Sequence, residues 1–222
     1  MAATIEAAPQ ASGLRKRLGS APSWLADRQT RYLVLGGVLL LAVLVTWLVI
    51  MSGKRKEAFA SRALDQATGM AESGNLPLAA SELQKVITTY AGTKAAQEAI
   101  IRLNQVRLVN GQHELAAVGL QDFIKSGPAP AYRAIANGLL GRALENSKRP
   151  VEAAAAYLSA AEATDLDYMK AEYLVDAGRA YTGAGDKTKA IETYRRVLKD
   201  YPESTAKTEA EVRLSELTAG VM

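Results

Sequence analysis

The chain has 222 residues, no cysteine and a single histidine, which excludes a disulfide framework, a thiolate metal site and most triad or histidine-metal chemistry. Its 27 Lys+Arg against 23 Asp+Glu give a formal net charge of +4. The excess sits in two short segments: residues 1–31 carry +3 and residues 52–62 another +3, which leaves 63–222 at −2. The folded part therefore lacks the basic excess that nucleic-acid binding needs.

In chain order, residues 1–31 are rich in alanine, proline and serine, hold no sustained apolar period, and read as a flexible basic tail. Within them, residues 23–29 start a short helix leading onward. Residues 32–51, YLVLGGVLLLAVLVTWLVIM, form a run of 20 without a charge. As a helix this run rises roughly 30 Å, the thickness of a bilayer's hydrocarbon core. Tyr32 and Trp47 put amphipathic rings near its two ends, where the interface favours them. A cleaved signal peptide has a shorter apolar stretch, about 7–15 residues. Here Lys54-Arg55-Lys56 also separates the run from Ala58-Phe59-Ala60, which mimics a cleavage site. The expectation is an uncleaved transmembrane helix. Gly36-Gly37 lacks the four-residue spacing of the known helix-dimer motif and reads as ordinary tolerance of glycine in lipid. Residues 52–59 are the basic juxtamembrane start of the next helix.

From residue 60 the chain repeats every 37 residues. Ala79, Ala116, Ala153 and Ala190 keep that spacing, as do Leu83, Leu120, Tyr157 and Tyr194, then Val86, Phe123, Ala160 and Val197. Gly74, Gly111, Lys148 and Gly185 hold the turn register. A constant period over four copies means one unit stacked four times, each copy burying its apolar face on its neighbours. In the fourth copy Leu174, Ala177, Gly178 and Tyr181 make one apolar stripe at helical spacing, and Ile191, Tyr194, Val197 and Leu198 make a second. Gly185, between them, can take the positive φ that ends a helix, and Asp186 can cap the next. No strand pattern appears. The expected fold is all-α: one transmembrane helix, then a solenoid of four helix pairs and a capping helix, with nine helices over residues 55–219.

The fourth copy, AEYLVDAGRAYTGAGDKTKAIETYRRVLKDYPES at 171–204, resembles the tetratricopeptide repeat. Gly178, Tyr181, Gly185, Ala190, Tyr194 and Pro202 fill that motif's places, and Val197 stands where a small residue is usual. Copies 60–93, 97–130 and 134–167 are looser. They keep Ala67, Gly74 and Ala79; Gly111, Ala116 and Pro128, with Asn104 at the small place; and Gly141, Ala153, Tyr157 and Ala160. Three extra residues after each copy lengthen the leading helix by almost a turn. Residues 205–222, with Ala210, Leu214 and Leu217 on one side, are the capping helix.

A short tail, one anchor and a C-terminal array of such repeats resembles the YfgM type of ancillary subunit of the bacterial Sec translocon. The resemblance implies a single-pass protein of the bacterial inner membrane, with its N-terminus cytoplasmic and its repeats periplasmic. It implies protein partners (translocon subunits, periplasmic chaperones or unfolded clients) besides the lipid around the anchor. The function implied is an interaction scaffold, accessory to the translocon or to chaperone hand-over. An assembly or stabilising subunit of another cell-envelope complex is the alternative. Basic residues number five before the anchor and four after it, so charge does not by itself orient the chain.

No residue pattern points to catalysis, a cofactor, a metal or a small-molecule substrate, and the chain does not read as an enzyme. His113 reads as a solvated residue of an inter-helix turn, and Asp165 and Asp167 as solvated members of a helix-end loop. In this architecture the leading helices line the groove. That makes Arg102, Gln105 and Leu108, Arg142 and Glu145, and Asp176 and Arg179 the candidate partner-binding residues, with Gln105, Arg142 and Arg179 in a column 37 apart. The paired lysines and asparagines of the chaperone-type carboxylate clamp are not in matching places, so an acidic C-terminal peptide is not the expected ligand.

Overall fold

The computed structural model describes residues 28–219, and side chains from Tyr32 onward. The expected tail therefore lies outside the described residues up to position 27, while residues 28–31 already belong to the first helix. The described residues form nine helices and no strand: α1(Arg28–Glu72), α2(Leu76–Thr89), α3(Lys94–Val109), α4(His113–Lys125), α5(Pro130–Asn146), α6(Pro150–Glu162), α7(Asp167–Gly183), α8(Lys187–Asp200) and α9(Ala206–Thr218). The chain divides into two compact units, Met1–Lys54 and Arg55–Met222.

In the first unit, α1 is long and apolar enough to cross a membrane. Its side chains are open to the surroundings: Tyr32 is 71% exposed and Trp47 55%. Thr46, the one aliphatic hydroxyl of the run, donates back to the Ala42 carbonyl at 2.8 Å, so no polar group of the run is left for lipid to satisfy apart from the terminal aromatics. A Cβ added at Gly36 or Gly37 would meet nothing within 4 Å.

In the second unit consecutive helices pack pairwise from α2 to α9. The turn inside each pair repeats one geometry. Gly74, Gly111 and Gly185 have φ of 84°, 75° and 78°, and Lys148 takes the same left-handed place at 63°. In each case the next residue's N–H reaches back five positions: Asn75 to Met70 O, Gln112 to Arg107 O, Arg149 to Leu144 O and Asp186 to Tyr181 O, at 2.8–3.0 Å. This is the Schellman closure of a helix end. The helix that follows is capped by Asn75 or Asp186, opens on Pro150, or, for α4, starts after Gln112 without a side-chain cap. The leading helices α3, α5 and α7 have 16, 17 and 17 residues, against 14, 13, 13 and 14 for α2, α4, α6 and α8. The three extra residues of the 37-residue period thus lie in the leading helices.

Residue sizes are matched across each pair. A Cβ on Gly141 would lie 2.6 Å from the Tyr157 ring, and one on Gly178 would lie 2.6 Å from the Tyr194 ring. Both tyrosines are buried. In the first two pairs the same places hold Ala67 with Leu83 and Asn104 with Leu120: the narrower aliphatic side chain stands where the facing residue is larger. Asn104, although 1% exposed, donates to Ile100 O at 2.8 Å and accepts from Arg107 Nη1 at 3.0 Å, which offsets its burial. At the far end α9 seals the stack with fully buried Ala210 and half-buried Leu214 and Leu217.

Two expectations are corrected. His113 is not a solvated turn residue. Gln112 closes the α3 turn, so His113 becomes the first residue of α4, half-buried, with Nδ1 out of solvent and no hydrogen-bond partner among the described residues. Asp167 is not a loop residue either. It opens α7, where a carboxylate complements the helix dipole, and it pairs with Lys170 at 3.3 Å.

Candidate partner-binding groove

The residues of α1 beyond position 57, with α3, α5, α7 and α9, present one polar face built from columns 37 apart. One column is Asp65, Arg102, Asp176 and Arg213, its α5 place being taken by Leu139, which is buried in the core; the next is Thr68, Gln105, Arg142, Arg179 and Glu216. Seven residues is close to two helical turns, so Asp65 and Glu72 on α1, like Arg102 and Val109 on α3, fall on one side of their helices. Leading helices touch directly: α3 contacts α5, and α7 contacts the cap α9.

Open clefts lie between these helices. At the start of the array a cleft of about 510 Å³ is walled by Glu57, Asp65, Glu72, Lys94, Glu98 and Arg102, with Tyr132 of α5 at its side. An adjoining notch of about 270 Å³ is mostly apolar. Ala71, Leu76, Leu83, Val106 and Val109 form its walls, and Glu72, Arg102 and Gln105 its rim. At the other end a cleft of about 320 Å³ is lined by Glu145, Arg179, Tyr194, Arg213, Glu216 and Leu217. Glu172, Asp176 and Glu209 share a further one of about 370 Å³.

The charges at the two ends differ in how far they are already satisfied. Near the C-terminal end Arg179 donates from Nη1 to Glu145 and from Nη2 to Asp176, and the Tyr157 hydroxyl donates to Glu145 Oε2 at 3.1 Å. Burial pushes the Asp176 carboxyl up, and the Arg179 partner only partly offsets it. Burial opposes the charge of Arg179, but its hydrogen bond to Asp176 and the fields of both carboxylates outweigh it, so the guanidinium is held above its ordinary value. Burial, with Asp176 and Glu145 nearby, also raises Tyr157, which keeps its proton and so remains the donor.

At the N-terminal end Glu57 is spent on structure. Its two oxygens accept from Lys94 N and Ala95 N, each at 2.9 Å, which caps α3. Glu98 pairs with Arg102 at 3.2 Å. Asp65 and Glu72 are exposed and have no ion-pair partner among the described residues. Burial, then Glu98 and Glu57, raise the Tyr132 hydroxyl.

The candidate residues are thus distributed over several clefts. Arg102 and Gln105 stand on the rim of the apolar notch, Glu145 and Arg179 share the cleft with α9, and Asp176 lies in the cleft beside it. Arg142 is exposed and lines none of the four, so the 105–142–179 column does not converge on one cleft. Leu108 departs from expectation: it is half-buried and packs on the core beside Ile100 and Ile124 instead of facing the groove. Sequence reasoning passed over Asp65, Glu72 and Glu98, and the α9 residues Arg213 and Glu216. The 37-residue register carries the signal for three of them, since Asp65 is 37 before Arg102, Arg213 is 37 after Asp176 and Glu216 is 37 after Arg179. Among the described residues no three His, Asp or Glu side chains are grouped to hold a metal.

Residues 24–219 match the tetratricopeptide repeat-like domain family. Solved structures similar in fold include the following three. The crystal structure of MamA protein shares 20% identity at a TM-score of 0.59, over 72% of this chain and 81% of that one. A MamA RS-1 ArsTM double mutant shares 21% at 0.52, over 63% and 74%. A Podosopora anserina putative kinesin light chain with nearly identical repeats of this type shares 17% at 0.60, over 73% and 86%. No curated protein matches the chain in sequence.

Proposed function

The chain belongs to the tetratricopeptide repeat-like domain family, and from that premise we propose that it is a membrane-anchored scaffold for protein–protein interaction. The carrying observation is the row of open clefts between successive leading helices, walled by both polar and apolar side chains. Residues 32–51 are the anchor in this reading: they are uncharged and exposed, with aromatic residues near both ends. The anchor lies in the bacterial inner membrane, with the N-terminus cytoplasmic and the repeats periplasmic. The partners are then translocon subunits, periplasmic chaperones or unfolded clients, and the role is accessory to the Sec translocon or to chaperone hand-over. Support for this finer assignment is the layout of one apolar helix followed by a repeat array.

The test is photo-crosslinking in living cells from positions 105, 142 and 179, with Lys189 on α8 as the outer-helix comparison. Adducts to translocon subunits or chaperones from the groove positions are the expected result. Adducts from position 189 alone would move the binding face to the outer helices. Protease digestion of intact against opened cells reports the side on which the repeats lie.

A further inference from the structure

The apolar notch between α1, α2 and α3 is one place where the groove exposes a largely apolar floor, and its rim is acidic on the α1 side. Leu76, Val106 and Val109 supply apolar wall, and Val109 is 75% exposed. On α1, Glu72 stands on the notch's rim, and Asp65, in the adjoining cleft, lies seven residues before it, about 10 Å along the helix. Both lack an ion-pair partner among the described residues, whereas Glu57 is engaged by backbone N–H groups and Glu98 by Arg102. A segment in the polyproline II conformation advances about 9 Å in three residues and brings positions i and i+3 onto the same face. Its side chains at i and i+3 therefore match the two carboxylates, and the notch at the Glu72 end has room for an aliphatic side chain beside one of them.

We propose that this notch and the acidic α1 face beside it bind a protein segment in the polyproline II conformation with two basic residues three positions apart and an aliphatic residue next to one of them. Charge complementarity selects the occupant: an acidic segment would meet two uncompensated carboxylates, and a neutral one would leave them unpaired. The assignment rests on the scaffold reading and adds to it the chemistry of the partner at this end of the groove. The satisfied Glu145–Arg179–Asp176 set offers no equivalent demand for a cation at the other end.

The experiment uses the full chain in nanodiscs of neutral phosphatidylcholine. It follows the fluorescence anisotropy of a labelled nonapeptide carrying two lysines three apart followed by leucine, and of its counterpart with glutamates in place of the lysines. The lysine peptide should bind at least about fivefold more tightly, the sum expected of two exposed ion pairs, and the preference should shrink as salt rises. Asp65→Asn with Glu72→Gln should abolish the preference, and Val109→Ser should weaken both peptides. All three sites are exposed, and unchanged thermal melting shows that the variants fold. Equal binding of the two peptides, or a preference that survives in the Asp65→Asn/Glu72→Gln protein, overturns the proposal. Absence of binding by either peptide overturns it too. Crosslinks from position 105 in cells would then leave the scaffold reading standing, and their absence as well would remove both.

Discussion

Replacing Gly178 by alanine tests the central packing claim, because two effects of opposite sign compete and the structure decides between them. In a helix interior the change should stabilise by up to about 1 kcal/mol, since alanine loses less backbone freedom than glycine on folding. Here the new Cβ would fall 2.6 Å from Cε1, 2.7 Å from Cζ and 3.0 Å from Cδ1 of Tyr194. That ring is 1% exposed and is packed in the core with Leu174, Val197 and Ala210. Overpacking of a filled core costs about 1–3 kcal/mol, so the net expectation is a loss of about 1–2 kcal/mol. Gly69 of α1 supplies the control: a Cβ there meets nothing within 4 Å, so Gly69→Ala should be neutral or stabilising by up to about 1 kcal/mol. A compensating change completes the cycle. Tyr194→Leu alone leaves a void, but combined with Gly178→Ala it recreates the Ala67–Leu83 arrangement of the first pair, and the double variant should lose less than the sum of the singles. Urea titration of the full chain in detergent, followed by far-UV circular dichroism, gives the four values. A Gly178→Ala protein as stable as Gly69→Ala, or additive losses in the double variant, would refute the close approach of α7 and α8.

Lys148 holds a left-handed backbone at φ 63° where the other three pairs have glycine, so Lys148→Gly should raise stability by about 1 kcal/mol in the same titration. The raised carboxyl of Asp176 gives a pH dependence. A folded value above the unfolded one means that the folded state binds the proton more readily. The stability linked to Asp176 is therefore fully present below the unfolded value, near 4, and is lost as pH rises through the folded value. The wild type should accordingly gain on Asp176→Asn as pH falls through the carboxylate range, and a difference that is flat with pH would show that burial does not govern this group. Deleting residues 1–54 should yield a soluble, helical domain, whereas the full chain should stay in the pellet after carbonate extraction; extraction of the full chain into the supernatant would rule out the anchor.

Much of the architecture is decided by contacts within a few residues of one another, and those are written along the chain. Helical stripes at three and four, the turn place at Gly74, Gly111, Lys148 and Gly185, and the uncharged run at 32–51 each depend on near neighbours. The left-handed backbone at Lys148 is a case in point, since the register alone assigns it the glycine place. The sequence by itself therefore determined the helix pairs, their turns, the longer leading helices and the cap. What each groove side chain does was decided only by the tertiary structure. Arg179 and Glu145 are 34 residues apart and cancel because α5 and α7 lie on either side of α6 and both contact it. Leu108 turns to the core because α4 and α5 meet there. Glu57 is consumed as a cap for a helix 37 residues later, while Asp65, about two turns further along α1, stays free. Periodicity places a side chain on a face of its helix, but the charge that face shows to a partner depends on which groups neighbouring helices bring within hydrogen-bonding distance, and that distance exists only once the pairs have stacked.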